Sequence, residues 1–409
     1  MDFRKSGIQF FYQHITSFPN QHIIFMIVCQ KAAFDLEPGI AYLNGAYMSP
    51  QLQKVTEAGW KALQKKQRPY QLAIDDFFEP VRDLQQAFAE LINLADWERI
   101  AVIPSVSYGL ANVAANLPFN TGQKIVLVEG QFPSNVYPWK RLAEQNGGHL
   151  QMVQVPEGLD KTSRLNQALL DAIDENTAAV AIGTVHWADG TVYDLPAIRA
   201  KTRAMNAWMI LDGTQSVGAL PFDVQEIQPE ALICAGYKWL MGPYGIGVAY
   251  YSEALDGGTP IEENWINRHN SEDFRGLVHY QYRYQPKARR FSVGEQSNMI
   301  LVPMLTSALN QLNEWGIANM QSYCKGLTRQ PLNILSDMGY LVEQETNRAG
   351  HLFGIRLPQF ASIEKLQQAL LDRKIFVSLR GDAVRVSPNI YNEAKDLDLL
   401  VDAFSAAII

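Results

Sequence analysis

Short apolar runs alternate with longer segments of helical periodicity between about residues 75 and 250. The apolar runs are rich in β-branched residues, and this order is typical of β-α units built around a mostly parallel sheet. The pattern predicts strands at Ile100–Pro104, Lys124–Val128, Leu150–Val155, Ala178–Thr184, Trp208–Leu211 and Ala231–Cys234.

Helical periodicity fills the intervals between these strands. It predicts helices at Tyr108–Leu117, Pro138–Gln145, Arg164–Asp174 and Leu195–Met205. A parallel sheet needs helices on both faces, and its ligand crevice lies beyond the carboxyl ends of its strands. We therefore expect the functional residues directly after strands.

The pattern changes after Tyr251. Residues 252–290 are polar and predict an extended connection, and Met299–Trp315 predicts a long apolar helix. The later segments Gly354–Leu357, Ile363–Leu371, Ile375–Leu379 and Val384–Ser387 predict a smaller α+β domain. The predicted division is an N-terminal arm at 1–45 that belongs to the small domain, a large domain at 46–295, and the small domain with its linking helix at 296–409.

An apolar stretch from His22 to Cys29 follows two basic residues near the N-terminus. It is far shorter than the roughly 20 residues that span a bilayer. Polar residues interrupt it, and no small-x-small cleavage site follows, so a secretory signal is disfavoured. We interpret residues 1–25 as an extension.

Composition and charge narrow the class of protein. Apolar residues make up 47% and charged residues 19%, which excludes a disordered chain. The net charge of −7 is spread over interleaved acidic and basic residues, so nucleic acid is not an expected partner. Cys29, Cys234 and Cys324 are distant and odd in number, which predicts neither disulfides nor a metal site and favours a reducing cytoplasm.

The densest chemical signal lies at the ends of two successive predicted strands. Asp212 precedes a glycine at one strand end, and Lys238 follows the next in the segment Gly236-Tyr-Lys-Trp-Leu. Each residue alone has an ordinary explanation, a turn for the aspartate and a solvated surface for the lysine. The apolar and glycine-rich surroundings instead favour a desolvated lysine of lowered pKa, a usable amine nucleophile.

These motifs resemble the class V aminotransferase group of pyridoxal-phosphate enzymes of fold type I. That group includes cysteine desulfurases, kynureninases and isopenicillin N epimerase. The resemblance runs from Tyr42-Leu-Asn-Gly-Ala to Val384-Arg-Val-Ser-Pro-Asn-Ile-Tyr-Asn392. It implies an α/β fold with a mostly parallel, seven-stranded large domain, a smaller C-terminal α+β domain, and pyridoxal 5'-phosphate as cofactor.

The resemblance implies roles at the cofactor ring. Lys238 would be the catalytic lysine that holds the cofactor as a Schiff base and moves the α-proton. Asp212 would pair with the pyridine nitrogen, and Gln215 would donate to the ring's phenolic oxygen. Phe132 would stack on the ring, although a core position is its ordinary explanation.

Phosphate and ring-oxygen contacts are implied by weaker matches. Val106 and Ser107 would bind the phosphate at a helix start, together with Tyr237. Asp189 aligns near the ring oxygen, and two interpretations stay open, a carboxylate that raises the pKa of the imine or only a turn with Gly190. Trp265 and Gly294 would reach the partner subunit's phosphate across a homodimer interface.

The resemblance also implies how substrate is bound. Arg385 would hold the substrate α-carboxylate, because its planar fork donates two parallel hydrogen bonds. Asn44 and Gly45 would form the opposite wall of the pocket. Desulfurases require a cysteine on the loop before this arginine, and Val377-Ser-Leu-Arg-Gly-Asp-Ala-Val384 has none. We therefore expect that the protein is not a cysteine desulfurase.

The expected function is that of an enzyme that acts on an α-amino acid or related amine through an external aldimine and quinonoid. Aminotransferase is the leading expectation; the alternatives are a kynureninase-like enzyme or C–S lyase, an amino-acid epimerase and, last, a fold member that binds without turnover. The expected protein is a cytoplasmic homodimer with no nucleic-acid or membrane partner.

Overall fold

A computed structural model describes residues 27–156, 158, 160–380 and 383–408. The N-terminal extension predicted at residues 1–25 lies outside the described residues. None of the described helices combines the length and apolar character needed to cross a bilayer.

The large domain contains a seven-stranded sheet in the order β2-β8-β7-β6-β5-β3-β4. Its strands are β2 (Ile100–Ile103), β3 (Lys124–Val128), β4 (His149–Val153), β5 (Thr177–Gly183), β6 (Trp208–Asp212), β7 (Ala231–Ala235) and β8 (Gly247–Tyr251). Strand β8 runs opposite to the other six strands and pairs antiparallel with both β2 and β7. The seven-stranded, mostly parallel sheet is therefore as expected, and the predicted strands agree with the observed ones to within two residues at each end.

Helices cover both faces of this sheet. Successive residues of β2 enter different cores, with Ile100 and Val102 on one face and Ala101 and Ile103 on the other. The α-helices up to the end of the sheet are α1 (Gln53–Lys66), α2 (Glu79–Leu91), α3 (Val106–Asn116), α4 (Tyr137–Asn146), α5 (Lys161–Ala172), α6 (Leu195–Ala204) and α7 (Val224–Ile227). Burial on both faces explains why the strand sequences are continuously apolar.

The C-terminal part of the chain forms a smaller α+β unit. Its elements are α8 (Leu301–Trp315), α9 (Ile317–Asp337), β9 (Leu341–Val342), β10 (Phe353–Arg356), α10 (Ile363–Asp372), β11 (Ile375–Phe376), β12 (Ser378–Arg380), β13 (Ala383–Val386) and α11 (Ala394–Ser405). Strands β12-β13-β10-β9 form an antiparallel sheet with its own apolar core. The predicted strand Ile375–Leu379 is divided at Val377, because β11 and β12 belong to different sheets.

The chain near residue 45 joins the small unit, as an N-terminal arm would. Strand β1 (Ala41–Tyr42) pairs in parallel with β11, and Asn44 bridges to Ser387. Helix α8 packs in the same core as α1 and α2, through side chains that include Val302 and Leu309. The division into an N-terminal arm and two domains, with boundaries at 46 and 296, stays a prediction.

Candidate active site

A cavity lies at the carboxyl edge of the parallel strands, where polar residues follow β2, β3, β5, β6 and β7. Its volume is about 290 Å³. The predicted site residues that line it are Val106, Ser107, Phe132, Asp212, Gln215, Tyr237 and Lys238. Parallel strand ends therefore gather seven residues that are widely separated in sequence.

Lys238 lies in a tight turn that follows β7. Gly236 has no room for a side chain, because a Cβ there would be 2.5 Å from the carbonyl oxygen of Ile246. The Gly236 N–H donates to that same oxygen, and the Met241 N–H donates to the Lys238 carbonyl at 3.0 Å. These contacts fix the backbone and leave the lysine side chain directed into the cavity.

The Lys238 ammonium is short of stabilising partners. Its Nζ atom lies 5.4 Å from the Phe132 ring centroid and 5.7 Å from that of Tyr237. Burial lowers the pKa of Lys238 from 10.5 to about 8; Asp212 opposes the shift, and Arg385 and Arg380 add to it. With this pKa the lysine is mostly charged at pH 7, and roughly a tenth of it is the neutral amine, the form that attacks carbonyl compounds.

Asp212 is the last residue of β6 and occupies the floor of the cavity. Its carboxylate accepts a hydrogen bond of 3.0 Å from the Thr214 N–H. Burial nevertheless raises the pKa of Asp212. The hydrogen bond from Thr214 and the charge of Lys238 lower this pKa, but by less than burial raises it. A cationic ring nitrogen placed against this carboxylate would offset the cost of burying it.

Gln215 is held by contacts on both ends of its amide. Nε2 donates to the Ala46 carbonyl at 3.1 Å, and Oε1 accepts from the Trp239 Nε1–H at 3.1 Å. The amide lies at the cavity wall and has a second N–H that can face a ring oxygen.

A candidate anion site lies where β2 turns into α3. Ser105 caps this helix and accepts from the Tyr108 N–H at 3.2 Å, and its hydroxyl lies 2.9 Å from that of Ser107. Val106 and Ser107 are the first two residues of the helix, so their N–H groups point out of it. Tyr237 lies at the same cavity, with its ring 4.5 Å from that of Tyr244.

Phe132 and Trp187 form an aromatic pair at the cavity mouth. Their ring centroids are 5.6 Å apart in an edge-to-face arrangement, and the indole N–H donates to the Gly130 carbonyl at 2.7 Å. Phe132 is 42% exposed, so its ring face is available to a flat ligand and it is not the core residue that base rates favour.

Of the two interpretations left open for Asp189, the turn with Gly190 agrees with its observed contacts, and Asp189 is not among the residues that line the cavity. One carboxylate oxygen accepts from Thr191 at 2.8 Å and faces His186 Nδ1 at 3.0 Å, and the other contacts Lys161 and Arg356. Burial opposes ionisation, but the hydrogen bond from His186 and the charge of Lys161 hold the pKa of Asp189 well below its usual range. Its segment is a turn in which the Gly190 N–H donates to the His186 carbonyl.

Two residues just before Asp189 line the cavity instead. His186 and Trp187 follow the end of β5 closely, whereas Asp189 comes later in the turn. Thr214 and Tyr244 also line the cavity, and sequence reasoning had not assigned them. Thr214 carried a sequence signal, because it closely follows the end of β6, whereas Tyr244 lies well beyond the end of β7 and carried none.

Arg385, in the small unit, is not among the residues that line the cavity, but it contacts Trp187, which does line it. Arg385 is almost fully buried, and its Nη1 donates to the Trp187 carbonyl at 3.1 Å. Its Nε and Nη2 atoms are buried with no hydrogen-bond partner in the described chain. Burial and repulsion from Arg380 lower the pKa of Arg385 to about 9. Asn44, on the same side, accepts from the Ser378 hydroxyl at 2.8 Å.

Trp265 and Gly294 are not part of this cavity. Trp265 packs edge-on against Phe77, and the Gly294 N–H donates to Glu262 at 3.0 Å. The other Glu262 oxygen accepts from the Tyr108 hydroxyl at 2.8 Å, which links Gly294 to the helix of the anion site. Their role toward a partner subunit stays a prediction.

The fold and this site define an enzyme class that uses a carbonyl cofactor carried by a lysine. The chain belongs to the class V aminotransferase family, whose model matches residues 42–400. Members of this family depend on pyridoxal phosphate, so the expected family, fold type and cofactor class are confirmed. The residues fit that group: an anion site, a buried carboxylate and an amine of lowered pKa surround one cavity.

Known relatives perform several reactions. An uncharacterized aminotransferase of Bacillus subtilis (strain 168) is 25% identical over 79% of this chain and 82% of its own. Isopenicillin N epimerase of Streptomyces clavuligerus is 22% identical over 79% and 83%. The cysteine desulfurase CsdA of Escherichia coli has the same fold, with a TM-score of 0.76 and 20% identity over 93% of this chain and 98% of its own.

Proposed function

We propose that this protein is an aminotransferase that acts on α-amino acids. The observation that carries the proposal is the pair of unpartnered, buried donors on Arg385, together with the amine of lowered pKa on Lys238. A guanidinium fork with two free N–H groups is suited to a carboxylate. Bound pyridoxal phosphate supplies an electron sink for the carbanion formed at the substrate α-carbon.

The side chains of this chain would divide the remaining work. Lys238 would hold the cofactor and move the proton at the substrate α-carbon. Asp212 would keep the ring nitrogen protonated, and Gln215 would donate to the ring oxygen. The anion site of Val106 and Ser107, with Tyr237, would bind the phosphate.

Phe132 would cover one face of the ring and, with Trp187, exclude water from it. Asn44, which is linked to the hairpin of Arg385 through Ser378, would contribute to the wall of the substrate pocket. A homodimer in which Trp265 and Gly294 approach the partner's phosphate, and a cytoplasmic location, complete the proposal.

Cysteine desulfuration is not part of the proposal, although several relatives carry that name. The loop before Arg385 contains no cysteine, and none of the cysteines in the described part of the chain lines the cavity. Burial raises the pKa of the Cys234 thiol far above its ordinary value and that of Cys324 to about 12. Neither thiol is suited to act as a thiolate nucleophile.

The alternatives are a kynureninase-like enzyme or C–S lyase, or an epimerase. The epimerase relative and the fold of the cystine C–S lyase C-DES, with a TM-score of 0.79 and 18% identity, keep them open. A protein that binds cofactor without turnover is disfavoured, because Lys238, Asp212 and Arg385 all remain.

The test is a panel of amino acids and amines offered to the cofactor-loaded enzyme, with a keto acid as amino acceptor. Aminotransfer yields a new keto acid, epimerisation a racemised substrate, and elimination ammonia. The Lys238→Ala variant, which lacks the proposed catalytic lysine, is the negative control. Ammonia or racemisation without a keto-acid-dependent product would replace the proposed reaction with one of the alternatives. If amino acids leave the absorption of the bound cofactor unchanged, the assignment of Arg385 fails.

A further inference from the structure

A second arginine lies beside Arg385 on the same hairpin. In the β12–β13 ladder, Ser378 pairs with Arg385 and Arg380 pairs with Ala383. Arg380 and Arg385 are therefore diagonal neighbours on one face of the hairpin, about 7–8 Å apart along the ladder. Leu379 points to the opposite face and is 41% exposed.

Both guanidinium groups approach the same indole ring. The Cζ atom of Arg380 lies 5.6 Å from the Trp187 ring centroid, and that of Arg385 lies 5.8 Å from it. Trp187 lines the cavity and contacts Phe132, so the two cations are held beside the mouth of the candidate active site. Cation–π contacts of this kind hold a guanidinium in place without neutralising it.

Neither cation has a carboxylate partner among the described residues. The ion pairs of this part of the chain include neither arginine. The Nε atom of Arg380 and the Nε and Nη2 atoms of Arg385 are buried and have no hydrogen-bond partner among the described residues. Nη1 of Arg380 donates a hydrogen bond of 2.7 Å to the Leu379 carbonyl. Two adjacent cations with free donors favour a ligand that carries more than one negative charge.

We propose that the substrate is a dicarboxylic α-amino acid, and that Arg380 binds its distal carboxylate while Arg385 binds the α-carboxylate. This inference rests on the proposed function, because it assigns a substrate class to the same site. Arg380 would then determine specificity, since a neutral amide in place of the distal carboxylate leaves its guanidinium unpaired.

The experiment has a binding arm and a turnover arm, both on the cofactor-loaded enzyme. The binding arm compares succinate with butyrate by calorimetry, since neither can react. The turnover arm compares aspartate and glutamate with asparagine and glutamine. We expect roughly 10- to 100-fold tighter binding of succinate and a similar preference in kcat/KM for the acids, as for one charged hydrogen-bonded pair.

The variant Arg380→Gln should lose most of this preference, through weaker binding of the acids, and leave the neutral amino acids within about threefold. Arg141→Gln, at an exposed position on α4, makes the same chemical change and should alter nothing. Arg380→Lys keeps a charge without the fork and should retain part of the preference.

Equal binding of succinate and butyrate, or a wild-type preference for the amides, would overturn the inference without any variant. Equal losses for acidic and neutral amino acids in Arg380→Gln would also overturn it, because Arg380 would then serve the α-carboxylate. A preference for succinate in a protein that turns over no amino acid would refute the proposed function and leave the dicarboxylate site standing.

Discussion

Arg385 donates from Nη1 to the carbonyl oxygen of Trp187 at 3.1 Å, and this bond ties the small unit to the turn that follows β5. One edge of the guanidinium is thereby fixed, and the unpartnered Nε and Nη2 atoms are oriented together. A preorganised fork of this kind loses little entropy when it binds a carboxylate.

We therefore expect Arg385→Gln to lower kcat/KM for α-amino acids by about 10- to 100-fold, the cost of a charged hydrogen-bonded pair. Amines that lack the carboxylate should change by less than about threefold. Steady-state kinetics with matched pairs, such as an amino acid and its decarboxylated amine, provide the measurement. An equal loss for both members of a pair would show that Arg385 does not serve the carboxylate.

Replacing Lys238 should remove both the covalent link and the proton transfer. We expect Lys238→Ala to lower turnover by about a thousandfold or more, since general acid–base catalysis alone contributes about 10²- to 10⁴-fold. Borohydride reduction should fix the cofactor to the wild-type protein and not to the variant. Lys140→Ala removes a lysine that is well exposed on α4 and should behave as wild type. Full activity in Lys238→Ala would refute the assignment.

The lowered pKa of Lys238 predicts a pH-dependent stability difference in the cofactor-free protein. Below about pH 8 the lysine is charged in both the folded and the unfolded chain, and the folded chain bears the cost of burying that charge. Between pH 8 and 10.5 the unfolded chain binds more protons, so this contribution to stability rises with pH.

Lys238→Met should therefore raise the free energy of unfolding near pH 7 by up to about 3 kcal/mol, from 1.36 kcal/mol per pKa unit. The advantage should shrink as the pH rises from 8 to 10.5. Denaturant unfolding of both proteins across this range measures it. A difference that is constant with pH would mean that Lys238 titrates at its ordinary value.

Much of the large sheet could be predicted from sequence, because strands buried on both faces leave continuous apolar runs. Strand β8 was not predicted as a segment. Its sequence Gly247–Tyr251 directly follows the glycine-rich lysine turn, and glycine is disfavoured in strands. Long-range pairing with β2 and β7 decides its conformation, and a local pattern does not contain that information.

The candidate site also contains residues that could be predicted from sequence and residues that could not. Lys238 and Asp212 could be found from strand-end positions and an apolar context. Sequence could not show that Trp187 lines the cavity and Asp189 does not, since both follow β5 and only the geometry of the turn separates them. Arg380 was missed because its significance depends on a hairpin register and on a tryptophan far away in sequence.

The buried carboxylate of Asp189 predicts a structural role that separates it from the cofactor. Lys161 is 2% exposed and has Asp189 as its ion-pair partner. Asp189→Asn leaves this ammonium buried without a carboxylate, and we expect a loss of about 3–5 kcal/mol in the free energy of unfolding, measured with denaturant. Adding Lys161→Met should restore part of the loss, because it removes the uncompensated charge.

The cofactor absorption spectrum separates this role from a contact with the ring oxygen. Asp189→Asn should leave the absorption maximum and its pH dependence unchanged, since the carboxylate is engaged by Lys161, His186, Thr191 and Arg356. If the bound cofactor instead titrates at a different pH in Asp189→Asn, and the stability of the variant is unchanged, Asp189 contacts the ring oxygen. From the observed ion pair with Lys161 we expect Asp189→Asn to lose stability and to keep an unaltered cofactor absorption spectrum.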